Sequence, residues 1–577
     1  MFYNGIIFDL DNTMYSYDKC HSSALDNVIT FILEDTKFTK EDTKFTKEDT
    51  KFTKEEIKNI YENICKNIKY ELKNTASSHN KSIYFKQLLE SLNLTYSLLS
   101  KMTHIYWDTF YKNMECFEGV REFIIWNKKI GKKIGVLTDY ETEFQIIKLE
   151  KLELLEYIDV IITSEEVGIE KPSIHMFQTI LRKMNLLTSE VIMIGDSYEK
   201  DIQGAINLDI LSYWFNISSS DHYCNKNKYI EFNNFLSLNT EFNQIYNELI
   251  KLKTISKYCG ERFDLVQAGG GNSSVKINDL MFIKASGYHL TQISSKGGYV
   301  TINNKKLKKD IIENKSKSII HYNVIGSLRA SIETYMHSIL KKYTIHLHPI
   351  QINKILVCRD SKTIIKKLVS NSLIIDYFTP GINVCNEILK LYNNEEIIFL
   401  INHGIIITSD DYDSILLKLE ELLNIFEINQ NLDFNKYKLT NKISNIINKN
   451  DANNIENISY LCEDKIINNY LLNKKELFTE EITFPDALIY CGLKILFIGS
   501  LEEIKNYLYK YNEPPKIIVY NELIYIINIS IQKCKETEDV LKSNLMILDT
   551  DNEKTYLTNE EICYLNNWDL EKYRKML

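Results

Sequence analysis

The chain has 577 residues, more than one hydrophobic core can organise, and is expected to divide into roughly three or four domains. With 44% hydrophobic residues, 25% charged residues and a formal net charge of −9, it has the composition of an ordinary globular protein and no sign of a polyanion-binding surface, so nucleic acid is not expected as a partner. No stretch reaches the roughly 18 apolar residues of a membrane span, the segment MFYNGIIFDLDNT has neither a basic leader nor a cleavage site, and the eleven cysteines form no CxxC pair. These features give the expectation of a cytoplasmic protein with reduced thiols and no membrane partner.

In chain order, the first predicted strand, GIIFDL, ends on Asp9, with Asp11 and Thr13 just beyond. Residues 34–54 are three copies of EDTKFTK that run into the helical pattern EEIKNIYENICKNI. One Phe per heptad supplies a single apolar position where a coiled-coil seam needs two, so a solvated expansion is expected. The strands KKIGVLTD, DVIITS and VIMIGD then alternate with helical stretches, and residues 1–232 read as a doubly wound parallel sheet. Thr138 closes one of these strands, GIEKPS supplies Lys171, and IMIGDSYEKD supplies Asp196 and Asp201. In an open parallel sheet, ligands bind beyond the carboxyl ends of the strands, where these groups fall.

This order of strand-end motifs resembles the haloacid dehalogenase (HAD) superfamily over residues 1–232. The resemblance implies a phosphate monoester hydrolase. Asp9 would be the nucleophile, because a carboxylate that attacks phosphorus splits one difficult displacement into two easier ones. Asp11 would serve as general acid and base; the carbon–halogen branch of the family has no acid at this position, so phosphate substrates are favoured. Magnesium would be held by Asp9, the backbone carbonyl of Asp11, and Asp196. Thr138 and Lys171 would bind the phosphoryl oxygens, and Asp201 would orient Lys171 or support the metal shell. The region from about 15 to 115, which contains the heptapeptide copies, becomes a mainly helical cap that selects the substrate.

From about 240 to 440 the pattern changes. In TIHLHPI, strand alternation puts His346 and His348 on one face, either as satisfied core histidines or as metal ligands. Farther along, IIFLINHGIII places His403 before a glycine, and upstream SIETYMHSIL offers Glu333. Three neutral imidazoles leave a zinc ion with an open coordination position, as a catalytic site requires. The glycines of AGGGNSSVK and IKASGYHL let backbone N–H groups approach an anion.

In this order, and with YFTPGINVCNEI, the set resembles the class II aldolase/adducin family, typified by fuculose-phosphate and rhamnulose-phosphate aldolases. The resemblance implies zinc on His346, His348 and His403, with Glu333 moving the proton at the carbon beside the carbonyl that zinc polarises. Gly271, Asn272, Ser286, Gly287 and Ser331 match positions that hold the substrate phosphate. Ile332 stands where phosphate-using members often have a second serine. His337 is expected to be structural. The resemblance also implies a homo-oligomer formed through this domain. The same fold hosts sugar-phosphate epimerases, a dehydratase of methionine salvage, and the non-catalytic adducin-type binding module, all of which stay open as alternatives.

Beyond a polar, Asn-rich stretch near 440–457, residues 458–577 resemble the C-terminal extension of longer members of that family. They read as a small α+β unit with the strands ALIYCG, KIIVYN and LIYIINI, suited to packing or subunit contact. The whole chain is expected to be a bifunctional enzyme of sugar phosphate metabolism. It would join a magnesium-dependent phosphatase to a zinc-dependent aldolase, with small phosphorylated sugars as partners.

Overall fold

The computed structural model describes residues 3–38, 52–218, 223–225, 229–294, 297–325, 328–427, 433–450 and 456–567. The main division of the chain, between Tyr246 and Asn247, separates two compact units.

The first unit is built on seven strands: β1 (Gly5–Phe8), β2 (Lys133–Thr138), β3 (Val160–Thr163), β4 (Val191–Gly195), β5 (Leu211–Phe215), β6 (Tyr223–Asn225) and β7 (Tyr229–Phe232). They lie in the order β3-β2-β1-β4-β5-β7-β6, parallel except for the β6–β7 pair. Every position of β1 and β4 is buried, as the central strands of a parallel sheet covered on both faces require. Ile7, Leu137, Ile162 and Met193 pack on one face with Phe177 and Ile180 of the helix Ile174–Met184. Strand order reverses between β1 and β4, which opens a crevice beyond their carboxyl ends.

Four helices intervene between β1 and β2: α1 (Tyr17–Phe38), α2 (Lys54–Glu71), α3 (Lys81–Ser91) and α4 (Leu99–Lys112). They form the helical cap. In α2, Ile57, Tyr61, Ile64 and Ile68 are buried at helical spacing, and a Thr53–Glu56 capping box starts the helix. The cap core is aromatic, with Tyr61 against Phe85 and Tyr106 against Trp107 and Phe110. Of the heptapeptide copies, residues 39–51 lie outside the described residues. The sequence break expected between 232 and 240 is instead the start of a 26-residue helix, Phe235–Gly260.

The second unit contains an eight-stranded mixed sheet of β8 (Asn272–Ile277), β9 (Leu280–Lys284), β10 (Tyr299–Asn303), β11 (Asn323–Ile325), β12 (Tyr343–Leu347), β13 (Leu373–Ile375), β14 (Ile397–Leu400) and β15 (Gly404–Ser409). Their order is β11-β10-β9-β8-β12-β15-β14-β13. β12 runs antiparallel between β8 and β15, so His346 faces Asn272 across one pair and Ile406 across the other. A core of Met281, Ile283, Ile302, Met336, Val384 and Ile398 covers the sheet.

A second, four-stranded sheet follows: β16 (Ile458–Cys462), β17 (Leu496–Ile498), β18 (Ile517–Tyr520) and β19 (Leu523–Asn528), in the order β16-β19-β18-β17. Two sequence expectations fail here. ALIYCG is not a strand but lies in a helix, Pro485–Cys491, with Pro in its first turn and Gly492 at positive φ after its end. So short an apolar run does not distinguish a strand from a buried helix. The polar stretch from 440 begins inside another helix, Asn435–Asn450. Its Asn441 and Ser444 side chains donate to Oε2 of the buried Glu261, at 2.9 and 2.7 Å, so polarity here marks a buried network. Among the described residues no helix is long and apolar enough to cross a membrane, and Cys20, Cys65, Cys116, Cys259, Cys358, Cys385, Cys462, Cys491 and Cys534 are free thiols.

Candidate active sites

Asp9 follows directly on β1, Thr138 ends β2, and Asp196 follows directly on β4, which brings all three to the crevice where strand order reverses. Together with Asp11, Lys171 and Asp201 they line one cleft of about 570 Å³, roofed by cap residues. Lys171 Nζ donates to Asp9 Oδ1 and, at 2.7 Å, to Asp201 Oδ1; all three side chains are more than nine-tenths buried. Gly195 allows this approach, because a Cβ there would lie 2.5 Å from Asp201. Thr13 Oγ1 stands 3.1 Å from both Asp9 Oδ2 and Asp196 Oδ1.

Burial raises the Asp9 carboxyl well above its ordinary value, and the neighbouring carboxylates add to this against the opposing pull of Lys171. Asp196 is pushed up to about 6, by burial and then by Asp201. Lys171 stays charged: burial disfavours its ammonium, but Asp201 and Asp9 outweigh that.

Asp11 turns away from this cluster. Its carboxylate accepts from Lys148 Nζ at 2.8 and 3.0 Å, from Gln145 Nε2 at 3.2 Å and from the Tyr15 hydroxyl. Burial raises its pKa, but the Lys148 charge and these hydrogen bonds prevail and hold it below the ordinary value. Gln145 also donates to Thr138 Oγ1, which ties Asp11 to the end of β2. Sequence reasoning passed over Lys148, Gln145 and Tyr15. The available signal was the i, i+3 spacing of Gln145 and Lys148 on the helix Thr142–Lys151, which puts both polar groups on one face.

In the second unit, His346 is fully buried in β12, His348 lies one residue past its end, and His403 sits in the turn between β14 and β15. The turn is possible because residue 404 is glycine; a Cβ there would lie 2.3 Å from the Leu347 carbonyl and 2.8 Å from the His348 ring. His348 Nε2 stands 3.0 Å from His346 Nε2. Glu333 Oε1 lies 3.2 Å from His346 Nε2 and 3.3 Å from His403 Nε2. Asn272 Nδ2 donates to Glu333 Oε2 and to Ser331 Oγ, the latter at 3.2 Å. Burial raises the Glu333 pKa, but the facing imidazoles outweigh it and keep the group a carboxylate. The His348 ring is lowered to about 4, by burial and then by its two histidine neighbours.

Gly271 is buried at the start of β8, whereas Ser286 and Gly287 lie exposed in the turn after β9. Ser286 N donates to the Arg329 carbonyl at 2.8 Å, which sets this turn beside the segment carrying Ser331. Lys284, which sequence reasoning did not single out, holds both glycine turns by donating to the carbonyls of Gly269 and Tyr288, at 3.1 and 2.7 Å. Ile332 is exposed. His337 is fully buried, with Nδ1 2.8 Å from Ser274 Oγ, and burial lowers it to about 3.

Two groups have the donor spacing of divalent-metal sites: Asp9, Asp196 and Asp201, and His346, His348 and His403, each with ligand atoms within 4.8 Å of one another. In the first, one ammonium faces three carboxylates, and the remaining negative charge suits a cation. In the second, His346 Nδ1 lies 2.9 Å from the Ile405 carbonyl, to which it donates, so the Nε2 lone pair faces the cluster.

Comparison with known proteins bears on both units. The family model described as haloacid dehalogenase-like hydrolase matches residues 3–209, and that of the class II aldolase and adducin N-terminal domain matches residues 254–429. A ribulose-1,5-bisphosphate 5-phosphatase of Halopiger xanaduensis is 31% identical over 209 residues, covering 35% of this chain and 80% of that protein. A glyceraldehyde 3-phosphate phosphatase of Pyrococcus abyssi is 29% identical over 134 residues, 23% of this chain and little more than half, 56%, of that one. The N-terminal class II aldolase domain of a conserved protein from Thermoplasma acidophilum is 24% identical, covers 31% of this chain and 91% of that one, and superposes with a TM-score of 0.29.

The chain belongs to the haloacid dehalogenase-like hydrolases through its first unit, and its second unit carries a class II aldolase/adducin domain. It is an enzyme in which a hydrolase unit of the phosphatase type and a class II aldolase-like unit share one polypeptide.

Proposed function

We propose that the protein is a bifunctional sugar-phosphate enzyme, a magnesium-dependent phosphomonoester hydrolase joined to a zinc-dependent aldolase acting on a ketose phosphate in the cytoplasm. The observation that carries this reading is that each unit sets a metal-type donor cluster beside a carboxylate placed for proton or phosphoryl chemistry. The relatives of the first unit, named as phosphatases of phosphorylated sugars and trioses, support the substrate class.

In the first unit, Asp11 takes up a proton as the negative ester enters the cleft beside it; an Asp9 oxygen then attacks phosphorus, the bond from phosphorus to the sugar oxygen breaks, and Asp11 gives that oxygen its proton. Asp11 then takes a proton from the water that cleaves the aspartyl phosphate. Lys171 and Thr138 hold the phosphoryl oxygens. Magnesium, a hard cation held by Asp9, Asp196 and the backbone carbonyl of Asp11, would neutralise phosphoryl charge when bound.

In the second unit, Glu333 serves the carbon beside the carbonyl. In cleavage the Glu333 carboxylate takes the hydroxyl proton from the carbon that becomes the aldehyde, the carbon–carbon bond breaks, and Glu333 passes that proton to the carbon that keeps the electron pair; in synthesis each transfer runs in reverse. Asn272 and Ser331 hold Glu333 in place, and with Gly271, Ser286 and Gly287 they receive the substrate phosphate. Zinc, suited to three imidazoles, would polarise the carbonyl when bound to His346, His348 and His403.

The test is a panel of phosphorylated sugars assayed for inorganic phosphate and for aldehyde, together with metal analysis of the purified protein. Asp9→Asn should abolish phosphate release and leave carbon–carbon cleavage and zinc content unchanged. His348→Ala should do the converse. Loss of both activities in either variant, with folding intact, would defeat the two-site reading.

A further inference from the structure

Lys81 opens α3 in the cap and lines the same cleft as Asp9. It is only 5% exposed, faces the cleft, and forms no ion pair with a carboxylate among the described residues. The ammonium is surrounded instead by phenol rings, 5.0 Å from the centroid of Tyr84, 5.7 Å from Tyr17 and 5.8 Å from Tyr106. A buried, unpaired cation is unfavourable, and this one also stands at a helix N-terminus, where the backbone dipole opposes positive charge. Burial lowers its pKa to about 7. The site's other buried ammonium groups are engaged: Lys171 with Asp9 and Asp201, Lys148 with Asp11. Lys66 and Lys69 of α2 line the cleft on the cap side as well, against two cap carboxylates, Glu62 and Asp18.

A cation that lines the cleft without an ion-pair partner, at a helix start that also favours negative charge, is complementary to an oxyanion. It belongs to the cap and is not among the groups that Asp9, Asp11, Asp196 and Asp201 engage. Resting on the phosphomonoester hydrolase reading of this cleft, we propose that Lys81 and the start of α3 form a second anion subsite, so that the preferred substrate is a phosphate ester carrying a further phosphate or carboxylate. The cleft volume of about 570 Å³ is within the roughly 300–1,000 Å³ typical of small-molecule sites and accommodates such a molecule.

The experiment compares kcat/KM for phosphate release from p-nitrophenyl phosphate, 3-phosphoglycerate and ribulose 1,5-bisphosphate, in the full-length wild type, Lys81→Met and Lys81→Arg. The wild type should prefer one of the two doubly anionic esters, and which one it prefers tells phosphate from carboxylate. Lys81→Met should cut kcat/KM on that ester about 10–100-fold more than on p-nitrophenyl phosphate, mainly through KM, as expected for one lost charge-assisted contact. Lys81→Arg should restore part of the preference. An equal loss on all three esters, or a wild type with no preference for a second anion, would overturn the subsite. The wild-type comparison needs no variant to fold. Release from p-nitrophenyl phosphate alone would leave the hydrolase reading standing and remove this inference; release from none of the three would remove both.

Discussion

At the scale of single residues, the first site is defined by which charges are paired. Lys171 is shared by Asp9 and Asp201, while Asp11 is held separately by Lys148, Gln145 and Tyr15. This division suits two carboxylates with different tasks, one attacking and one moving protons. Asp11→Asn should slow phosphate release by about 10²–10⁴-fold, the loss typical of a general acid or base. Lys148→Met leaves Asp11 in place but removes the ammonium that orients it, so turnover should fall by a smaller factor, about 10–100-fold. Steady-state phosphate release measures both, and a Lys148→Met enzyme with wild-type turnover would show that the ion pair is only structural. The i, i+3 spacing with Gln145 was the one hint of Lys148, and nothing in the sequence marks Lys81, because a lysine on a helix is ordinarily solvated. Only the tertiary packing around it reveals that it is buried. Asp9, Asp11, Thr138 and Asp196 were legible because each sits at or beside the end of an apolar strand, where local sequence and site position coincide, whereas Lys171, in the loop between the helices Ser164–Val167 and Ile174–Met184, was legible only through the family resemblance.

At the scale of elements, the alternation of strands and helices predicted the first large sheet, the second followed from the family resemblance, and pattern reading failed where polarity and burial part company. The helix Asn435–Asn450 reads as a linker by composition, yet its Asn441 and Ser444 are consumed by Glu261 at the end of the helix Phe235–Gly260. Burial pushes the Glu261 carboxyl up to about 7. Below about pH 4.5 the group is protonated in both folded and unfolded chains. Between there and about pH 7 the unfolded chain releases a proton that the native state keeps, so stability falls as pH rises, by up to about 3 kcal/mol in all. Above about pH 7 the loss is complete. Glu261→Gln cannot titrate, so its stability relative to wild type should improve progressively from pH 5 to pH 8. Urea denaturation at the two pH values measures this, and curves that stay parallel would contradict the assignment.

At the scale of the whole molecule, two units with unlike donor sets, carboxylate oxygens in one and imidazole nitrogens in the other, share a chain. Their chemistries complement each other in direction: aldol addition is readily reversible, whereas hydrolysis of a phosphate ester in water is effectively one-way. A phosphatase acting on the aldol product therefore draws the pair toward synthesis. The three histidines have a consequence for folding as well. They come from the end of β12 and from the β14–β15 turn, segments remote in sequence, so an ion bound by all three ties those strands together only in the native sheet. Any ligand exclusive to the folded form adds RT ln(1 + [L]/Kd), about 2.7 kcal/mol at a hundredfold excess over Kd. The second unit's melting transition should therefore drop under a zinc-selective chelator and climb back as metal is restored, which scanning calorimetry would follow, while the first unit's transition stays where it was. The unfolding of that sheet becomes a thermometer of metal supply: in a metal-starved cell the lyase half would be the first to lose its structure, and the hydrolase half would persist without it.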